Sequence, residues 1–92
     1  MNQQKAIKHV RALTAQARRD WQTKRGKPMP EMGVTDRHRE INDQLRAALL
    51  ISALQSGCSK RDADRAVLCA IQYAATMIET GSMDTSGELI TH

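Results

Sequence analysis

The sequence SGCSKRD at residues 56–62 separates two long apolar segments, LRAALLISAL at residues 45–54 and AVLCAIQYAATMI at residues 66–78. Glycine readily takes the left-handed backbone conformation that ends many helices, so Gly57 predicts the end of one helix. Ser59, followed three residues later by an aspartate, has the spacing of a capping box and predicts the start of the next helix. The two apolar segments therefore indicate two helices joined by a short turn, a helical hairpin.

A further helix is predicted upstream of this hairpin. Its apolar residues recur at intervals of three and four from Ile7 to Trp21, which is the spacing of one helical face. Gly26 and Pro28 end this helix, because glycine is unfavourable inside a helix and proline biases the residue before it away from helical backbone. The segment is thus an amphipathic helix that can cover the hairpin.

The 92 residues are predicted to form one small domain over residues 1–81 and a polar, loosely ordered tail over residues 82–92. Thr35 or Asp36 can cap the second helix through a side-chain oxygen. The predicted fold is all-α, with the first helix laid across the hairpin of the other two. The domain is a compact three-helix arrangement with helices at about 3–25, 35–56 and 60–80.

Charge is distributed unevenly along the chain. The formal net charge is +4, but residues 1–27 hold eight lysines and arginines against one acidic residue, a net charge of +7. The remaining residues hold six cations and nine acidic residues, a net charge of −3. Such an asymmetry indicates a basic helix that attracts a polyanion or an acidic protein surface.

The stretch ARRDWQTKRGKP at residues 17–28 is the dense end of this basic segment. At about 100° per residue, most cations of the first helix fall on one side of it, and no acidic residue of the helix shares that arc. A solvated helix surface is the plainer interpretation, but such surfaces usually mix both signs of charge. We call this surface the basic face; it comprises Lys8, Arg11, Arg18, Arg19, Gln22 and Arg25.

The basic face is predicted to contact nucleic acid or an acidic protein groove, and the sequence does not separate the two. Arginine would hold phosphates bidentately, lysine would act as a point charge, and nucleic acid would release counterions. Three cations outside the helix extend the predicted contact. Lys27 lies in the following loop, and Arg37 and Arg39 begin the second helix, where they can alternatively pair with Glu40 and Asp43.

Trp21 has two predicted roles. As one of only two aromatic residues, it can anchor the first helix on the other two. It can also stack against a base or an arginine plane, although a single tryptophan without an aromatic partner is a weak signal for base stacking.

The sequence gives no indication of catalysis, of a metal or of a cofactor. Its histidines and cysteines lack the spacing of zinc ligands, its glycines are dispersed, and its carboxylate pairs lie near predicted helix starts, where negative charge is stabilising. Cys58 and Cys69 are too far apart along a helix to form a disulfide, which fits reduced thiols and a cytoplasmic location. No segment is apolar and long enough to span a membrane.

The second and third helices carry more apolar residues than one buried face each requires. A helix that is apolar nearly all round is normally buried on most of its sides. With only one amphipathic helix to cover the hairpin, some apolar surface is left over. A homodimer, or docking on a larger partner, would bury it.

A basic, helical chain of this size without a catalytic motif resembles the small accessory proteins of phages and mobile elements, including anti-CRISPR proteins. The resemblance lies in size and composition, and it implies an inhibitor that binds and blocks a nucleic-acid-handling complex of the host. The first functional hypothesis is therefore a non-enzymatic protein whose basic face docks on nucleic acid or a nucleoprotein complex. The alternative is a homodimeric helical scaffold or regulator that acts through the apolar surface of helices two and three.

Overall fold

A computed structural model describes residues 1–88 of the chain. Over these residues the protein is all-α, with three helices: α1 (Gln3–Arg25), α2 (Asp36–Gln55) and α3 (Lys60–Glu79). The predicted fold class and helix positions are confirmed, with the ends differing by a residue. None of the helices within the described residues has the length and apolar character needed to cross a membrane.

Each helix begins at a side-chain cap. The Thr35 hydroxyl accepts a hydrogen bond from the His38 amide at 3.1 Å, and the Ser59 hydroxyl accepts one from the Asp62 amide at 3.1 Å. These bonds satisfy backbone donors that have no partner inside the helix. Gly57 has a positive φ of 96°, so the turn between α2 and α3 has the left-handed geometry expected for that glycine.

The three helices run side by side. His9 of α1 contacts Asp64 of α3 at 2.8 Å, and near the opposite ends of the same helices Arg25 contacts Glu79 at 2.7 Å. Helices α1 and α3 are therefore parallel, and α2 runs in the opposite direction to both. The first helix thus lies lengthwise beside the third and not across the hairpin, because its apolar stripe continues over most of its length.

The core is built from small aliphatic side chains and one large aromatic residue. Val10, Leu50, Val67 and Ile71 are the largest fully buried side chains, and Trp21 is only 5 % exposed. Burial of each such aliphatic side chain stabilises the fold by about 1.5–3 kcal/mol relative to exposure. The predicted apolar stripe of α1 thus forms one wall of the core.

The loop between α1 and α2 is held by residues that follow α3. Met29 of this loop is buried. The Gly33 amide donates a hydrogen bond to the carbonyl of Thr85, so part of the predicted tail lies against the loop. Hydrogen bonds from the Ser86 side chain and from nearby backbone amides lower the pKa of Asp84. Residues 89–92 of the predicted tail lie outside the described part of the chain.

Candidate binding surfaces

Three arginines of the basic face, spaced seven residues apart, pair with acidic residues from other segments. Arg11 Nε donates to Asp43 of α2 at 3.1 Å. Arg18 Nε donates to Glu31 of the following loop at 2.7 Å. The third, Arg25, is bound to Glu79 of α3 as described above. The basic face therefore lies partly against the carboxylates of its own fold.

The predicted cations outside α1 are divided in the same way. Lys27 Nζ lies 3.2 Å from Glu79, which therefore contacts two cations. Arg39 pairs with Asp36 at 2.9 Å, not with Glu40 or Asp43. Arg37 is exposed and has no ion-pair partner among residues 1–88.

The charge asymmetry of the sequence is thus offset in space. Four acidic residues beyond position 27 contact side chains of α1 or of the loop that follows it: Glu31, Asp43, Asp64 and Glu79. The arc on α1 has no acidic residue of its own helix, but neighbouring segments place acidic residues against it. Each pair is partly exposed, so it contributes little free energy individually, on the order of 0–1 kcal/mol.

Three members of the basic face take no part in these ion pairs. Lys8, Arg19 and Gln22 are exposed, and neither of the two cations has an ion-pair partner among residues 1–88. Helical spacing places them on the side of α1 turned away from its buried residues. Lys5 lies on the same outer side and is also exposed. The part of the predicted contact that is free for a partner is this outer row.

Trp21 is a buried anchor that also carries an arginine. The guanidinium carbon of Arg25 lies 4.1 Å from the centre of its indole ring, within the range of a cation–π contact. Glu79 binds the same guanidinium and holds it over the ring. Both interactions that the sequence allowed for Trp21 within the chain, anchoring and arginine stacking, are therefore present. A base could stack on this ring only after displacing Arg25.

Helix α2 carries a row of exposed apolar side chains. Ile41, Leu45 and Leu49, four residues apart, are 42 %, 65 % and 40 % exposed. We call this row the apolar stripe. It lies on the side of α2 turned away from the buried residues Ala47 and Leu50. The apolar excess predicted for the second helix is thus located on three named residues.

Helix α3 leaves less apolar surface exposed. Tyr73 is 66 % exposed, but the aliphatic residues Val67 and Ile71 on the same helix are buried. Cys58 and Cys69 are free thiols on the surface. Within the described residues, no group of three His, Cys, Asp or Glu side chains is arranged to hold a metal ion.

A cavity of about 330 Å³ opens between the three helices and the loop after α1. Four arginines contribute to its lining: Arg11, Arg18, Arg39 and Arg46. Sequence reasoning missed Arg46, which lies three residues after Asp43 and four before Leu50. That spacing, on the core-facing side of α2, was the available signal.

Burial lowers the pKa of Arg46, and the nearby positive charge of Arg18 acts in the same direction. The carboxylates of Asp43 and Glu31 oppose this shift, although neither forms an ion pair with Arg46. Arg46 therefore differs from the other arginines of the cavity, whose charge is compensated by direct contact.

No family model, no curated protein and no solved structure matches this chain.

Proposed function

We propose that the protein is a non-enzymatic, homodimeric helical regulator whose subunits associate through the apolar stripe of α2. The observation that supports this proposal is the exposure of Ile41, Leu45 and Leu49 in one row on one helix. Single exposed apolar side chains are common on soluble proteins, but a contiguous row is more typical of a contact surface.

The geometry of the stripe suits a second copy of the same helix. Spacing of four residues places side chains in a ridge that can pack between the residues of a facing helix. A twofold axis at Leu45 would bring Ile41 of each copy near Leu49 of the other, so that all three side chains are buried together. Arg37 would lie at the edge of this contact, where its charge stays in water.

The proposal is tested by introducing a charge at the centre of the stripe. Leu45→Lys would bury two like charges at the axis, so we expect the dimer of the unaltered protein to become a monomer at tens of micromolar concentration. Gln44→Lys, on the adjacent exposed position, is the matched control and should remain dimeric. Light scattering coupled to size exclusion measures the mass, and circular dichroism verifies that helicity is unchanged. A monomeric unaltered protein at this concentration would overturn the proposal.

A second function is favoured by the outer row of α1. Lys5, Lys8 and Arg19 are exposed on one side of the helix and have no ion-pair partner among residues 1–88. These cations suit nucleic acid, or a nucleoprotein complex with an acidic or phosphate surface. Binding would block that complex by occupancy, as in the phage inhibitors that the composition resembles. The blocking role of an anti-CRISPR type remains a prediction from the sequence.

This second function is tested with Lys8→Glu combined with Arg19→Glu. The two positions break no ion pair of the fold, unlike Arg18 or Arg25, so loss of binding would not reflect loss of structure. Fluorescence anisotropy with a labelled DNA duplex should show weaker binding and a shallower salt dependence, because fewer counterions are released. The matched control is Lys60→Glu with Arg61→Glu on α3, which should bind as the unaltered protein does. Equal weakening by both double variants would count against a contact specific to α1.

A further inference from the structure

The arginine-lined cavity has the charge of a monoanion site. Three of its arginines are bound to carboxylates: Arg11 to Asp43, Arg18 to Glu31 and Arg39 to Asp36. The four arginines and these three carboxylates leave one positive charge uncompensated. That charge belongs to Arg46, whose guanidinium has no ion pair or side-chain hydrogen bond among the described residues.

The environment of Arg46 makes an anionic ligand favourable. Its side chain is half-buried, and burial opposes its charged form strongly enough to lower its pKa. A partly desolvated charge is stabilised most by a partner of opposite sign that also accepts hydrogen bonds. A carboxylate meets both conditions, because its two oxygens match the planar fork of a guanidinium. A phosphate dianion would exceed the single uncompensated charge.

The remainder of the lining is mixed: six residues are apolar, and Thr14, Glu31, Asn42 and Asp43 are polar or charged. Met29 of the loop and Ile71, Ala74 and Ala75 of α3 contribute to the same cavity, and all four are buried. The volume of about 330 Å³ lies at the lower end of the range for small-molecule sites. A ligand here would place its charged group at Arg46 and an apolar body against these side chains.

We propose that this cavity binds a small organic monocarboxylate with an apolar body, whose carboxylate pairs with Arg46. The proposal is independent of both functions suggested above, because the apolar stripe and the outer row of α1 use other residues. It assigns Arg46, which has no ion-pair partner within the described chain, the role of positioning the ligand.

Benzoate and its neutral isostere benzamide are the probes, and two-dimensional NMR of the labelled protein is the measurement. Benzoate should produce saturable shifts of the Arg46 Nε–H resonance and of the Ala74 and Ala75 amides at millimolar concentration. Benzamide should bind at least about tenfold more weakly, because it lacks the charge. Inorganic phosphate, which lacks the apolar body, should also bind at least about tenfold more weakly.

Arg46→Met keeps the aliphatic stem and removes the charge, and it should abolish the benzoate shifts at the two alanine amides. Arg65→Met, an exposed arginine of α3, is the matched control and should leave them unchanged. Thermal unfolding verifies that Arg46→Met is folded; no ion pair is lost, so its midpoint should not fall. The proposal is overturned by unsaturated shifts up to about 20 mM benzoate, by equal binding of benzamide, or by benzoate binding that survives in Arg46→Met.

Discussion

Helices α1 and α2 each carry a row of side chains of one chemical character, but the fold pairs much of one row and leaves the other exposed. The basic face of α1 lies against Asp43, Glu31 and Glu79, so that much of its charge is compensated within the chain. The apolar stripe of α2 faces away from the core, and its three side chains stay 40–65 % exposed. A row that is conspicuous in the sequence can therefore be paired within the fold, whereas a less conspicuous row stays exposed.

This contrast follows from what each row needs. Charged side chains are well hydrated with or without a partner. Ion pairs between segments can therefore orient the helices at low energetic cost. The exposed side chain of Leu45 has an unfavourable free energy of hydration, so its burial in a contact would contribute favourable free energy. The unpaired apolar row is therefore the stronger indication of a binding surface.

The largest expected effect separates the two sides of α2. Leu50→Ala should lower the free energy of unfolding by about 2–5 kcal/mol, because Leu50 is fully buried and its truncation leaves a cavity. Leu45→Ala, the same change on the exposed side, should alter the stability of the monomer by less than about 0.5 kcal/mol. Urea unfolding at low protein concentration measures both. A cost of 2 kcal/mol or more for Leu45→Ala, about the lower limit for a buried leucine, would show that the stripe belongs to the core.

The next effect tests the compensation of the basic face. Glu79→Gln should lower the free energy of unfolding by about 1 kcal/mol, because Arg25 and Lys27 lose their shared partner and Arg25 is held less firmly over Trp21. The control is Glu40→Gln on α2, where no ion pair is present within the described residues, and it should be close to neutral. Chemical denaturation followed by Trp21 fluorescence reports both the stability and the indole environment. If the two variants cost the same, the contacts of Glu79 contribute nothing measurable.

The smallest effect distinguishes the two rows by salt. Raising sodium chloride to about 1 M should weaken the exposed ion pairs of α1 and lower the stability by less than about 1 kcal/mol. The same salt should leave association through the apolar stripe unchanged or slightly strengthened, because that contact is not ionic. Denaturation and light scattering in parallel provide the measurement. Dissociation of the dimer at high salt would indicate that charges, not the stripe, hold it together.

Local sequence signals predicted the helices well because their causes are local. Gly57 and Ser59 act through their own backbone and side-chain preferences, so the turn between α2 and α3 was found where it was expected. The buried stripe of α1 followed from periodicity alone. The direction of α1 did not, because its contacts with Asp64 and Glu79 join residues that are more than fifty positions apart.

The candidate surfaces were predicted less completely. The members of the basic face were named correctly as surface residues of one helix, but their partners Asp43 and Glu31 belong to other segments. Arg46 was missed: its spacing from Leu50 indicates the core-facing side of α2, but the cavity that it borders is formed together with other segments. The apolar excess was expected for the hairpin as a whole, and only its packing identified Ile41, Leu45 and Leu49 as the exposed members.

The sequence by itself determined three helices, the caps of the second and third, and the apolar side of the first, because these depend on interactions within a few residues. The tertiary structure decided which charges are neutralised and which apolar side chains stay exposed. Those properties depend on what lies across a helix interface, and periodicity within one helix carries no information about its neighbour. In this protein, the acidic residues of neighbouring segments therefore determine which cations of the basic helix are free to bind a partner.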